Sequence, residues 1–402
     1  MNRRFLHLCV TMLMICSPAI VRAQQPPPPL KITVAYLTQL FEEPQPLSLV
    51  EPIATDKGIA GARLGLADDT TTGHFLNQQY KLTEAIVEQN GDLLAVARST
   101  LTNSAQLVIV DLPEEQLLAV ADLPEAKNAL LFNTRAQEDD LRTDRCKPNV
   151  MHIIPSRAMK ADALAQWLVF KQWHRWFLLA GVGKGDLAFA DAIRRAANRF
   201  GGKIVEDRSY RFEAGARRTD TGQAQIQQQM GLATQRASNY DVLIVADESE
   251  VFGEYVPYRT WDPRPVVGTQ GLVPTAWDRV NEQWGATQIQ RRFIAQAKRP
   301  MLERDYAAWL AMRVIGEAVT RTNSTDPAVL KRYLLSENFK LAGFKGVPLS
   351  FRPWDQQMRQ PILLASARTL VSVSPQEGFL HPVSPLDTLG YDKPESHCRL
   401  NE

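Results

Sequence analysis

Between Ile32 and Val245 the chain alternates short apolar runs of strand character with segments of helical period. This alternation narrows the choice of fold sharply. Strands joined through a helix-length connection pair in parallel, and the helices then cover both faces of the sheet. The runs Ile32-Thr33-Val34-Ala35-Tyr36-Leu37, Leu107-Val108-Ile109-Val110 and Leu130-Leu131-Phe132 read as strands, as do residues 81–87 and 150–154. Helices are expected over 57–69 with Asp56 as N-cap, over 92–101, and after Pro113. A second series follows. It comprises helix 161–174, strand Trp176-Phe177-Leu178-Leu179-Ala180, helix 187–200 ended by Gly201-Gly202, strand Ile204-Val205, helix 223–237 and strand Val242-Leu243-Ile244-Val245. Two such series predict two α/β lobes, each a mainly parallel sheet flanked by helices. The last third differs: a helix over 291–320, another opened by Asp326-Pro327, and strands at 347–351 and 362–373. From Pro375 the chain is rich in Pro and Gly and reads as an irregular tail over 374–402.

The first 23 residues have the form of a secretory signal. Arg3 and Arg4 precede an apolar stretch from Phe5 to Ile15 that is too short to span a bilayer, and Val21-Arg22-Ala23 places small residues at −3 and −1. Residues 24–29 form a Pro-rich spacer. Later segments contain no run of 18 apolar residues, so the mature chain is expected to be soluble. The sequence carries 46 Lys and Arg against 44 Asp and Glu. Losing Arg3, Arg4 and Arg22 with the signal leaves a mature chain near neutrality, which argues against a broad nucleic-acid surface. Export also removes Cys9 and Cys16. Cys146 and Cys398 remain as one possible disulfide in an oxidising compartment, or as two free thiols.

Gly181-Val182-Gly183-Lys184-Gly185-Asp186 follows a strand and opens a helix, as a dinucleotide fingerprint does. Asp186, however, stands where the third glycine belongs and would face a pyrophosphate with like charge. The motif is read as a Gly-rich turn with Asp186 capping the helix, and no cofactor is assigned. There is no nucleophile elbow, zinc-protease motif or phosphate loop, and the histidines are scattered, so no catalytic or metal residue is assigned. Trp167, Trp173 and Trp176 read as core packing.

Ligands of open α/β sheets bind beyond the carboxyl ends of the strands. In the first lobe this places Gln39, Glu114, Thr134, Arg135 and Gln137 as candidates. Asp186, Asp247, Glu248 and Glu250 occupy the equivalent loops of the second, and Arg157 lies at the crossing between lobes. Arg135 and Arg157 suit a carboxylate, and the four acidic residues suit an amine or hydroxyl.

Several segments in order resemble the type I periplasmic binding proteins of the leucine/isoleucine/valine class. They are Gly58-Ile59-Ala60-Gly61-Ala62-Arg63-Leu64-Gly65-Leu66-Ala67-Asp68-Asp69, residues 149–170 leading into Trp176-Phe177-Leu178-Leu179-Ala180, residues 189–205, Tyr306-Ala307-Ala308-Trp309-Leu310-Ala311-Met312-Arg313, and Gly343-Phe344-Lys345-Gly346-Val347-Pro348-Leu349-Ser350-Phe351. More narrowly, the chain is similar to the subfamily found with pyrroloquinoline-quinone-dependent alcohol oxidation. The resemblance implies two lobes joined by three crossings: residues 30–154 plus 275–345, and residues 155–274 plus 346–373. It also implies a monomeric periplasmic protein that closes on a small solute and delivers it to an ABC transporter permease, without turnover of its own. The alternative is a sensory or accessory ligand-binding protein of an alcohol-oxidation system. Family members hold an amino acid with a Ser after the third strand and a Thr turn after the fourth. Here Asp111-Leu112-Pro113-Glu114-Glu115 lacks that Ser, and Gln137 stands near the Thr position. The expected solute is therefore polar or acidic rather than a plain branched-chain amino acid.

Overall fold

The computed structural model describes residues 28–41, 53–103, 105–212 and 223–400; the signal segment and most of the Pro-rich spacer lie outside the described residues. The first series runs β1 (Leu30–Gln39), α1 (Ile59–Leu76), β2 (Gln78–Val87), α2 (Leu93–Asn103), β3 (Leu107–Asp111), α3 (Glu114–Ala121), β4 (Leu130–Asn133) and β5 (Val150–His152). These strands form one parallel sheet in the order β2-β1-β3-β4-β5. Central β3, Leu-Val-Ile-Val-Asp, is buried along its whole length, as a strand covered on both faces must be.

The second series runs α4 (Arg157–Phe170), β6 (Arg175–Ala180), α5 (Lys184–Phe200), β7 (Lys203–Ser209), α6 (Gln223–Thr234), β8 (Val242–Ala246) and β9 (Val266–Gly268). Its parallel sheet has the order β7-β6-β8-β9. Two lobes of parallel sheet and flanking helices are thus present. The chain then adds β10 (Val273–Thr275), α7 (Ala286–Ala297), α8 (Glu303–Thr322), α9 (Pro327–Leu334), β11 (Leu341–Ala342), β12 (Pro348–Phe351), β13 (Met358–Arg359), β14 (Ile362–Ala365) and β15 (Leu370–Ser374). The single helix expected over 291–320 is two. Lys298 takes a left-handed conformation and Pro300 follows it, so the chain turns before α8 begins.

Core packing moves one crossing. Leu349, Phe351 and Met358 pack with Ile32, Tyr36 and the helices α7 to α9 of the first lobe. Ile362 and Leu364 pack with Trp176, Phe189 and Leu389 of the second. The packing changes sides between Met358 and Ile362, so residues 349–358, assigned to the second lobe from sequence, pack with the first. A bridge from His152 to Gln357 extends the first sheet to the same point.

Three helix starts also differ. Asp56 does not cap α1; its Oδ1 accepts from Arg299 Nε at 2.8 Å, and Gly58, at φ 82°, is the N-cap. A side chain at Gly58 would strike the Tyr36 hydroxyl and the Asp111 carboxylate. Helix α4 starts four residues early because Ser156 caps it, accepting from Met159 N. Helix α5 starts at Lys184, where Asp186 Oδ2 accepts from Gly183 N at 2.9 Å; this is the capping role read for that turn.

The tail is irregular in path but firmly docked. Asp387 is buried and accepts from both Arg352 and Arg359, each at 2.8 Å. Cys146 and Cys398 form a disulfide with Cα atoms 5.5 Å apart. The tryptophans pack internally: Trp167 and Trp173 meet edge to face at 5.4 Å, and Trp176 Nε1 donates to the Trp173 carbonyl.

Candidate ligand-binding cleft

Charged side chains from the loops after β3 and β4 meet side chains at the starts of α4 and α5. Glu114, in the first turn of α3, is buried, and burial raises its pKa above the ordinary value. Its two oxygens meet cations from both sides: Arg145 of its own lobe at 2.9 Å and Lys184 of α5 at 3.0 Å. Lys184 is the first residue of the Gly-rich turn's helix, so that turn aims a lysine at the other lobe.

Arg157 makes the second crossing. It is 9% exposed, donates Nη2 to Glu248 at 2.7 Å, and donates Nη1 to Glu138 of the β4–β5 loop at 3.1 Å. Burial pulls its pKa down, but Glu248 and Glu138 outweigh burial and hold the guanidinium charged. Its backbone N–H donates to the Gln137 carbonyl, and Asp139 accepts from Ala158 N. The N-terminus of α4 is thus seated on the first lobe's loop. A third pair joins Lys160 of α4 to Glu303 of α8 at 2.7 Å. Burial alone would raise the Glu303 pKa. Lys160, the Ala276 N–H and the Thr275 hydroxyl together bring it below the ordinary value.

Behind this line, a cavity of about 140 Å³ opens beside β8 and the β9–β10 connection. Lys160, Glu248, Glu250, Thr269 and Gln270 give it a polar wall of mixed charge, and Phe189 and Pro274 add an apolar one. Two buried acceptors at the lobe junction, Gln137 Oε1 and Glu138 Oε2, have no hydrogen-bond donor among the described residues.

The predicted residues divide into two groups. Glu114, Gln137, Arg157, Glu248 and Glu250 lie along the junction or its cavity. Asp186 and Asp247 spend their carboxylates on their own loops, although Asp247 also lines the cavity. Asp186 accepts from Gly183 N and Ser249 N, and Asp247 from the N–H groups of Val251, Phe252 and Gly253. Both are 1% exposed, and their carboxylates hold their own loops. Burial raises the Asp247 pKa, opposed by those three amides. Gln39 donates to the carbonyls of Glu88, Gln89 and Gly91 and accepts from Gln116, which spends its amide on the β2–α2 turn. Thr134 is buried and donates back to the Val110 carbonyl. The Arg135 guanidinium lies over the Phe41 ring, 4.4 Å from its centroid. Arg157 meets the protein's own carboxylates rather than an open site.

Sequence reasoning missed Glu138, Lys160, Lys184 and Glu303. Glu138 adjoins Gln137 and Lys184 stands two residues before Asp186, so the strand-end rule would have included both had those loops been taken whole. Nothing local marks Lys160 or Glu303, whose meeting depends on α4 and α8 coming together. Among the described residues no group of three or more His, Cys, Asp or Glu is placed to hold a metal ion. Nor is any described helix long and apolar enough to cross a membrane.

Residues 56–229 match a family model described as periplasmic binding protein. A search among curated proteins finds no match. Among solved structures, a periplasmic binding protein from Burkholderia mallei superposes with a TM-score of 0.63 at 16% identity, covering 93% of this chain and 100% of that one. A branched-chain amino acid ABC transporter periplasmic ligand-binding protein from Burkholderia xenovorans gives 0.64 at 16% identity, over 86% and 95%. A leucine-, isoleucine-, valine-, threonine- and alanine-binding protein from Brucella ovis, in its closed conformation, gives 0.61 at 14% identity, over 84% and 89%. Residues 56–229 therefore carry the pattern of the periplasmic binding protein family, within a chain that takes the two-lobed type I fold.

Proposed function

We propose that the chain captures a small polar solute between its lobes in the periplasm and presents it to the permease of an ABC transporter, without turnover of its own. The observation that carries this reading is the pair of buried, donor-less acceptors Gln137 Oε1 and Glu138 Oε2 at a junction crossed by ion pairs. A buried acceptor left unpaired costs about 1–3 kcal/mol, which a solute carrying O–H or N–H donors would recover. Binding energy that depends on both lobes is what closes a hinge; contacts to one lobe alone would leave the equilibrium unmoved.

An acidic group on the solute is part of the proposal, with Arg157 as its partner in exchange for Glu138 or Glu248, and Arg135 at the neighbouring loop. Leu112-Pro113-Glu114 supplies no hydroxyl after β3, which argues against a plain branched-chain amino acid. A link to pyrroloquinoline-quinone-dependent alcohol oxidation is supported by the subfamily resemblance alone.

A thermal-shift screen of amino acids, alcohol-derived hydroxy acids and pyrroloquinoline quinone, followed by calorimetry, tests this reading. A polar acidic solute should bind, and Arg157→Ala should weaken it by about 2–5 kcal/mol, as for truncating one member of a buried charged pair. Tight binding of leucine or valine, unaffected by Arg157→Ala, would contradict it.

A further inference from the structure

We propose that the first lobe has a second binding site, at the end of its sheet opposite the cleft, for a small amphipathic carboxylate. A slot of about 680 Å³ opens at the amino ends of β3, β4 and β5. Gln106, Leu130 and Asn149 mark those strand ends, and the first turn of α9 with the α3–β4 connection forms the walls. Its volume lies in the range of small-ligand sites, about 300–1,000 Å³. The cleft lies at the other ends of the same strands, so the two sites do not share a residue.

The lining combines an apolar surface with a net positive charge, three lysines against two aspartates. Leu123, Pro124, Ala129, Pro148 and Pro327 supply apolar surface. Three lysines reach the slot: Lys127, Lys147 and Lys331. Lys147 is neutralised by Asp122, with Nζ 2.6 and 2.9 Å from its carboxylate oxygens. Asp326 Oδ1 accepts from Ala328 N and Val329 N at the start of α9, and its charge offsets one lysine. Lys331 donates only to the Pro148 carbonyl, a neutral acceptor, and Lys127 has no ion-pair partner among the described residues. Partial burial of Lys331 lowers its pKa, the sign of a cation that has lost water without gaining a carboxylate.

A carboxylate between Lys127 and Lys331 would supply the missing charge, and its apolar body would cover the prolines and leucine. Phosphate fits less well. No arginine lines the slot, and Asp326 already occupies the α9 terminus where a phosphate would otherwise sit.

Octanoate is the probe, titrated calorimetrically into the full mature protein, with acetate and octanol as controls. Octanoate should bind at one site, and acetate and octanol should each bind at least about tenfold more weakly, since each lacks half of the recognition. The double variant Lys127→Gln/Lys331→Gln should lose octanoate affinity by about tenfold or more while keeping its circular dichroism and melting temperature. Arg157→Ala, at the cleft, should leave octanoate binding unchanged. Absence of octanoate binding, equal binding of octanol, retention in the double variant, or loss in Arg157→Ala would each overturn the proposal.

Discussion

Asp387 is a single carboxylate with two guanidinium partners, Arg352 and Arg359; Asp387 and Arg352 are almost wholly buried. Removing one member of such a pair leaves an uncompensated buried charge, so Asp387→Ala should destabilise the protein by about 3–5 kcal/mol in urea unfolding. Glu84→Ala, which breaks the exposed pair with Arg63, should change stability little. Asp69 gives a pH prediction. It lies against Gly316 with Arg313 as its partner, and burial lifts its carboxyl to about 7. The folded state then holds this proton more tightly than the unfolded chain does. The group's contribution to stability is present in full below about pH 4 and is lost as pH rises through about 7. Asp162 and Asp355, each lifted to about 6 by burial, act with the same sign. Asp69→Asn should therefore flatten the fall in urea midpoint between pH 5 and 8, and an unchanged slope would contradict the assignment. At this scale the sequence was a partial guide. The capping role of Asp186 was readable from its place after Gly183, but the commitment of Asp247 and Gln39 to nearby backbone groups was not. Strand-end position shows that a residue is near the cleft, while the direction of its side chain depends on which backbone amides stand nearby.

At the level of elements, α1 and α8 pack so closely that a Cβ on Gly61 would lie 1.8 Å from the Asp305 carbonyl oxygen. Gly61→Ala must push the helices apart and should cost about 2–3 kcal/mol, measured as a lower urea midpoint. The small residues Gly61 and Gly65 in the Gly58–Asp69 segment have this packing as their physical reason, since Gly65 meets Met312 of the same helix. The disulfide ties the tail to the loop before β5, where Cys398 lies beside the Arg142 carbonyl. Cys146→Ser/Cys398→Ser should lower stability by about 2–4 kcal/mol, and thiol titration of unreduced, denatured wild type should find no free thiol. Because Asp387 anchors the tail independently, the double variant should still fold. The break between α7 and α8 was visible in principle at Pro300, but the helical period runs on through both segments and hides it.

For the whole molecule, ion pairs cross between the lobes along the cleft: Lys184 with Glu114, Arg157 with Glu138, and Lys160 with Glu303. Partly exposed pairs weaken as salt shortens the screening length from about 30 Å at 0.01 M to about 3 Å at 1 M. Raising salt, or making Glu114→Gln/Glu138→Gln, should shift the solute-free protein toward an open form with a larger radius of gyration in X-ray scattering. Unchanged scattering in both cases would contradict the role given to these pairs and leave packing and the docked tail to hold the lobes.

The alternation of strand and helix determined the two parallel sheets, because a helix-length connection leaves adjacent strands little choice but to run the same way. Turn and cap residues such as Asp326-Pro327 and Gly201 set local boundaries for a similar reason, since their preferences act within a few bonds. Tertiary structure alone decided where the chain returns to the second lobe. Residues 348–351 bury only Leu349 and Phe351, a pair that suits either core, and the contact with Phe339 and the first sheet made the choice. It also decided which charges meet. Glu114 and Lys184, or Lys160 and Glu303, are far apart along the chain, and no local propensity encodes a pairing that exists only once two independently specified lobes are brought face to face.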